Sequence, residues 1–224
     1  MKPITNKIKQ IFLAYSLIFI PMWTIFILKD YMHFSSFDFL GVHPRSFGLS
    51  DIIGVMGSWM VHAGWEHILG NSVGLIGLLF FIALFERNLF SLFFGLIITS
   101  GISTWLLGAP NTIHIGASGL LFAMFGYILA SAFTGRRWIY FIPIIAAAAY
   151  FGMAYYQSFL NGLVVQEDIS FAAHFGGLLS GILLGVYFEK EGRKAEPNYG
   201  KVTLKQKWED FKWSINYKIK NLKR

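Results

Sequence analysis

The chain has 224 residues, 55% of them hydrophobic and only 14% charged, with a mean hydropathy of +0.53 and no cysteine. A soluble domain carries about 25% charged residues, so these values exclude an ordinary soluble domain and point to an all-α polytopic membrane protein; the lack of cysteine excludes disulfides, thiolate metal sites and a cysteine nucleophile. The net charge of +7 lies mostly in the C-terminal tail and reads as membrane orientation and contact with anionic lipid, not as nucleic-acid binding.

Residues 1–10 form a polar, basic N-terminal segment with Lys2, Lys7 and Lys9. The apolar run at 11–28 is longer than a signal core and is followed by no small-x-small cleavage site, so it is predicted as the first membrane helix. Residues 29–60 mix charges with Phe34, Phe37, Phe39, Phe47 and Trp59. That stretch is too polar to span and too aromatic for a free linker, which predicts an interfacial outer loop partly embedded in the membrane. Further apolar runs follow at 65–85, 89–107, 116–134, 138–157 and 169–188. Each crosses, or nearly crosses, a ~30 Å hydrocarbon core at about 1.5 Å per residue. The prediction is a six-helix transmembrane domain over residues 11–188, followed by a basic tail at 189–224.

Lysine and arginine set the orientation. With the N-terminus inside, the inner segments hold 17 of the 19, and the outer segments hold only Lys29 and Arg45. Both termini are therefore expected in the cytoplasm. In the tail, Leu204, Trp208, Phe211, Ile215, Ile219 and Leu222 recur at helical spacing among lysines. This pattern predicts an amphipathic helix on the inner leaflet, or one packed on a small cytoplasmic partner.

Three places break the apolar pattern, and polar groups in membrane helices are costly unless they are satisfied or used. In the second run His67 and Asn71 are four apart and share a helix face, with His62 just before them. The fourth run opens on Gly116-Ala117-Ser118-Gly119. Counted from Ser118 to Thr134 its helix has 17 residues, about 25 Å. It is too short to reach the outer surface, so the loop before it must dip inward, which predicts a water-accessible pocket with Ser118 at its floor. In the sixth run His174, Gly177, Gly181 and Gly185 lie near one face, matching a small-residue strip of Gly119, Ala123, Gly126 and Ala130 in the fourth. Taken singly, each feature has a packing explanation. Taken together, the second, fourth and sixth runs all cross from outside to inside. They carry His67, Asn71, Ser118 and His174 in their outer halves, at similar depth. A serine, a basic nitrogen and side-chain donors are what acyl transfer requires.

The G-x-S-G of the fourth run, the A-H-x-x-G-x-x-x-G of the sixth and the H-x-x-x-x-H-x-x-x-N of the second together resemble the rhomboid family of intramembrane serine proteases, over roughly residues 8–190. The resemblance implies Ser118 as nucleophile and His174 as its general base. It implies His67, Asn71 and the Ser118 backbone N–H as oxyanion donors, and His62, Gly116 and Gly119 in supporting roles. Phe122, one turn after Ser118, falls where the family commonly has an aromatic packed on the histidine ring. Glu86-Arg87 matches a structural acid–base pair, and residues 138–157 with the 158–167 loop match the gating region. The family's Trp-Arg pair in the first outer loop is replaced here by Gly41-Val42-His43-Pro44-Arg45, which resembles a variant of shorter bacterial members. The implied location is a bacterial plasma or inner membrane.

The expected activity is thus a serine endopeptidase that uses a Ser118–His174 dyad on transmembrane segments of other membrane proteins, in the lipid bilayer. No cofactor and no metal is expected. No carboxylate lies in a predicted helix core and there is no H-E-x-x-H, which argues against aspartyl and zinc proteases. The rival reading is a non-catalytic rhomboid-like adaptor that binds transmembrane clients. A small transporter would need paired ionisable groups along a path through the bilayer, and the polar groups here stop halfway.

Overall fold

The computed structural model describes residues 2–32, 37–86, 88–135, 138–146 and 171–195, with single positions 149 and 209. Most of the expected 138–157 helix, the 158–167 loop, Arg87 and almost all of the amphipathic tail lie outside the described residues. Helix α1 spans Lys2–Phe26 and continues as a π-helical turn, Ile27–Tyr31. The segment that follows contains a 3-10 turn at Asp38–Leu40, α2 at Leu49–Gly57 and a second 3-10 turn at Ser58–Met60. Then come α3 (Trp65–Phe85), α4 (Leu89–Leu107), α5 (Ser118–Thr134), helical residues from Trp138 to 146, and α6 (Phe171–Ala195). Among the described residues no strand occurs. One isolated antiparallel bridge joins Val42 to His114.

Four described helices are long and apolar enough to cross a membrane: Lys7–Tyr31, Trp65–Phe85, Leu89–Leu107 and Phe171–Glu191. Two run beyond the apolar stretches that predict them. α1 is helical from Lys2, and α6 continues past residue 188 to Ala195. Hydropathy marks the portion a bilayer would cover, whereas i to i−4 hydrogen bonding carries on into water where good helix formers follow.

α5 is the central helix. Eleven of its 17 residues are buried, and Leu120, Leu121, Met124, Tyr127 and Ile128 join one core with residues of α1, α3 and α4. The flanking helices turn apolar residues outward instead. Phe12 and Ile20 of α1 and Leu183 of α6 are each more than 60% exposed. Such stripes suit hydrocarbon, not water.

The closest helix pair is α5 with α6, and small residues make it possible. A Cβ at Gly181 would lie 1.9 Å from the Ala123 carbonyl oxygen, and one at Gly126 would lie 2.3 Å from that of Leu178. The two strips expected from sequence therefore do face one another. The 37–60 segment is equally tight. A Cβ at Gly101 of α4 would meet the Val55 carbonyl of α2 at 2.2 Å. Val42 and His114 exchange two backbone hydrogen bonds of 2.9 Å, tying this loop to the 108–117 segment. At the opposite end, the buried Glu86 accepts from the Tyr127 hydroxyl and from the Asn88 N–H, and Lys7 donates to its carbonyl.

Candidate active site

Three helix starts supply the polar residues singled out by sequence. Ser118 is the first residue of α5, and the N-cap Ala117 gives that helix no side-chain cap. The first N–H groups of a helix have no intrahelical partner, so the backbone around Ser118 presents donors. His67 and Asn71 lie in the first two turns of α3 and His174 near the start of α6. Ser118, His67 and His174 are half-buried, whereas His62 and Asn71 are buried.

The α5–α6 contact brings the surroundings of Ser118 and His174 together. A Cβ at Gly119 would sit 3.4 Å from the Ala173 carbonyl oxygen, and one at Gly177 would sit 2.2 Å from the Gly119 carbonyl oxygen. Larger side chains there would push apart the two residues next in sequence to Ser118 and His174. One turn along α5, Phe122 stacks on the His174 imidazole, with ring centroids 4.5 Å apart and planes at 24°.

Gly116 forms the second join. Its φ is +110°, a left-handed conformation that a side chain disfavours. A Cβ there would also fall 2.5 Å from the His67 ring and 3.6 Å from Asn71 Nδ2. Glycine at this position lets the turn before Ser118 pass directly against His67 and Asn71.

His62 acts as a buried bracket. Its Nε2 accepts from Asn71 Nδ2 at 2.9 Å and from the Ala117 N–H at 3.3 Å. Two donors on one nitrogen place the ring proton on Nδ1. Burial, and next the neighbouring His67, push its pKa down to about 3, so the ring stays neutral and its Nε2 remains an acceptor. The His67 ring lies edge-on to it at 4.9 Å. Backbone hydrogen bonding completes the turn, with the Gly116 N–H donating to the Ser58 carbonyl at 2.9 Å.

A cavity of about 20 Å³ lies beside this turn, lined by Ser58, Ser100, Thr104, His114, Gly116 and Gly119 among others. That is room for a single water. Its lining takes in Gly116 and Gly119, on either side of the Ala117–Ser118 turn. Among the described residues no cluster of three His, Asp or Glu has the arrangement of a metal site.

Two residues gain a place that the sequence reading gave them no role in. His114 lines the cavity and pairs its Nε2 with the Thr112 hydroxyl at 2.9 Å; burial lowers its pKa. Lys29 Nζ donates to the His62 carbonyl at 3.1 Å. A third loop histidine four residues before Ser118 was a usable signal for the first. Nothing in the spacing of Lys29 signals its contact, because its partner is main chain 33 positions away.

A family model described as the Rhomboid domain matches residues 50–191, a span that holds all of these groups except Lys29. The chain is similar to an uncharacterized protein of Mycobacterium tuberculosis strain H37Rv, with 27% identity over 189 residues, 80% of this chain and 76% of that one. It is similar to an uncharacterized protein of Mycobacterium leprae strain TN, with 29% identity over 141 residues, 60% of this chain and 55% of that one. A Bacillus subtilis strain 168 protein named "Putative rhomboid protease YdcA" is 31% identical over 133 residues, 56% of this chain and 61% of that one. The matched span covers more than half of the chain and the helices are those of a multi-pass membrane protein: this chain belongs to the rhomboid family.

Proposed function

We propose that the protein is an intramembrane serine endopeptidase that cleaves transmembrane segments of other membrane proteins. The observation that carries this reading is the pairing of α5 with α6, with Gly119 against Ala173 and Phe122 stacked on His174. That packing supports a Ser118–His174 dyad. In it, His174 takes the Ser118 proton as the hydroxyl attacks a peptide carbonyl, then returns it to the leaving amine. Water releases the acyl-enzyme by the same route in reverse.

The negative charge that develops on the carbonyl oxygen needs fixed donors. His67, Asn71 and the Ser118 N–H fill this role in the proposal. Asn71 gives one Nδ2 hydrogen to His62 and has the second for the oxyanion. His62 and Gly116 position these groups and Phe122 orients His174. The architecture that goes with this reading has six spans, both termini in the cytoplasm, and the basic tail on the inner leaflet of a cell membrane. The dyad then lies toward the outer face, and a substrate helix must unwind locally to reach it.

A serine-reactive fluorophosphonate probe tests the nucleophile. It labels the wild type, and Ser118→Ala abolishes the label. Labelling that survives in Ser118→Ala contradicts the assignment, and an unlabelled, inactive wild type favours the client-binding adaptor instead.

A further inference from the structure

Lys29 sits at the outer end of the first span, in the π-helical turn Ile27–Tyr31. Lysines at helix ends ordinarily extend the ammonium toward water. Lys29 is half-buried instead, and its Nζ points to the main-chain carbonyl of His62 at 3.1 Å. A π turn inside or at the end of an α-helix shifts the side chains beyond it and is frequent at functional sites. The carbonyl it meets belongs to the residue whose ring holds both Asn71 and the Ala117 N–H. Within the segment between Met60 and α3, Val61 and His62 are buried, while Ala63 is exposed and a Cβ added at Gly64 would meet nothing within 4 Å; the Lys29 contact falls where the buried half meets the open half.

We infer that Lys29 is a positioning residue for the oxyanion site: it fixes the His62 turn, and through it Asn71 and the backbone before Ser118, and sets a fixed positive charge behind the place where negative charge develops. The inference rests on the endopeptidase reading above. A fixed charge in a poorly hydrated site favours the anionic transition state over the neutral substrate carbonyl. The effect therefore belongs to kcat and not to KM. A lysine that merely anchored α1 to the loop would change the folded fraction and leave kcat per folded molecule alone.

The test compares Lys29→Met, which keeps the length and removes the charge, with Lys29→Arg, which keeps charge and donor, and with Ser118→Ala. Each full-length variant is reconstituted with a model transmembrane substrate. Its kcat and KM are measured per folded molecule, alongside the rate of fluorophosphonate labelling. The expected result is a kcat about 10-fold lower in Lys29→Met with KM unchanged. Labelling should slow in parallel, and Lys29→Arg should recover most of the rate. Wild-type kcat in Lys29→Met, or a loss confined to KM or to the folded fraction, overturns the inference. Cleavage that persists in Ser118→Ala overturns the endopeptidase reading and the inference with it. Cleavage abolished in Ser118→Ala but undisturbed in Lys29→Met overturns the inference alone.

Discussion

The ring of Phe122 lies on the imidazole of His174, with centroids 4.5 Å apart and planes at 24°. A contact of this kind contributes about 0.5–1.5 kcal/mol beyond the area it buries. Its main effect here is to restrict the histidine to one orientation relative to the start of α5. Phe122→Ala removes that restriction. Its kcat should fall by roughly 2- to 10-fold, in line with the loss of one such contact, while Phe122→Tyr retains the rate. Steady-state cleavage of a transmembrane substrate by both variants checks this; equal loss in the two would mean that stacking is not what the position supplies.

The α5–α6 pair has no room for a methyl group at Gly181, where a Cβ would approach the Ala123 carbonyl oxygen to 1.9 Å. Gly181→Leu should lower the thermal midpoint sharply and abolish activity, since the two helices would have to separate. Gly70 of α3 is the matched control, because a Cβ there meets nothing within 4 Å. Gly70→Ala should leave activity intact and raise stability by up to about 1 kcal/mol through helix propensity. Thermal unfolding in detergent distinguishes the two, and a tolerated Gly181→Leu contradicts the packing account.

The sequence made the α5–α6 relationship readable because small residues recur every three or four positions on both helices, and only close approach gives such a strip a purpose. The neighbourhood of Ser118, His174, His67 and Asn71 was readable for a related reason. Polar groups in apolar helices are few, and helix direction limits their depth. The outer loop was legible only as an aromatic, partly polar stretch. Its order comes from main-chain contacts, Val42 with His114 and Gly101 with Val55, and backbone carbonyls leave no trace in residue type. The same holds for Lys29, whose partner is the His62 carbonyl. The bracket formed by His62 was half visible: its motif position was clear, but acceptance of two donors at one nitrogen depends on the turn through Gly116.

His62 also makes stability depend on pH. Its ring has a pKa of about 3 in the fold, against about 6.5 in an unfolded chain. A depressed histidine pKa means that the unfolded state takes up the proton first. The His62 contribution is therefore fully present above about pH 6.5. It falls as the pH drops toward 3, by about 1.4 kcal/mol per unit. His62→Gln, which does not titrate, should show a stability profile flatter by about one proton over that window. Denaturant titrations in detergent at pH 7.5, 6 and 5 measure the slope; parallel profiles for the two proteins would falsify the neutral-bracket role.

The central claim is that Ser118 and His174 cut a peptide bond within the membrane. Its most direct measurement is cleavage of a purified single-span substrate in proteoliposomes by wild type, Ser118→Ala and His174→Ala, with folding of each checked by thermal unfolding. The account predicts one specific cut by the wild type. It also predicts a loss of at least about 1,000-fold in each variant, as expected when either member of such a pair is removed, with thermal midpoints close to wild type. Cleavage persisting in folded Ser118→Ala or folded His174→Ala would contradict it.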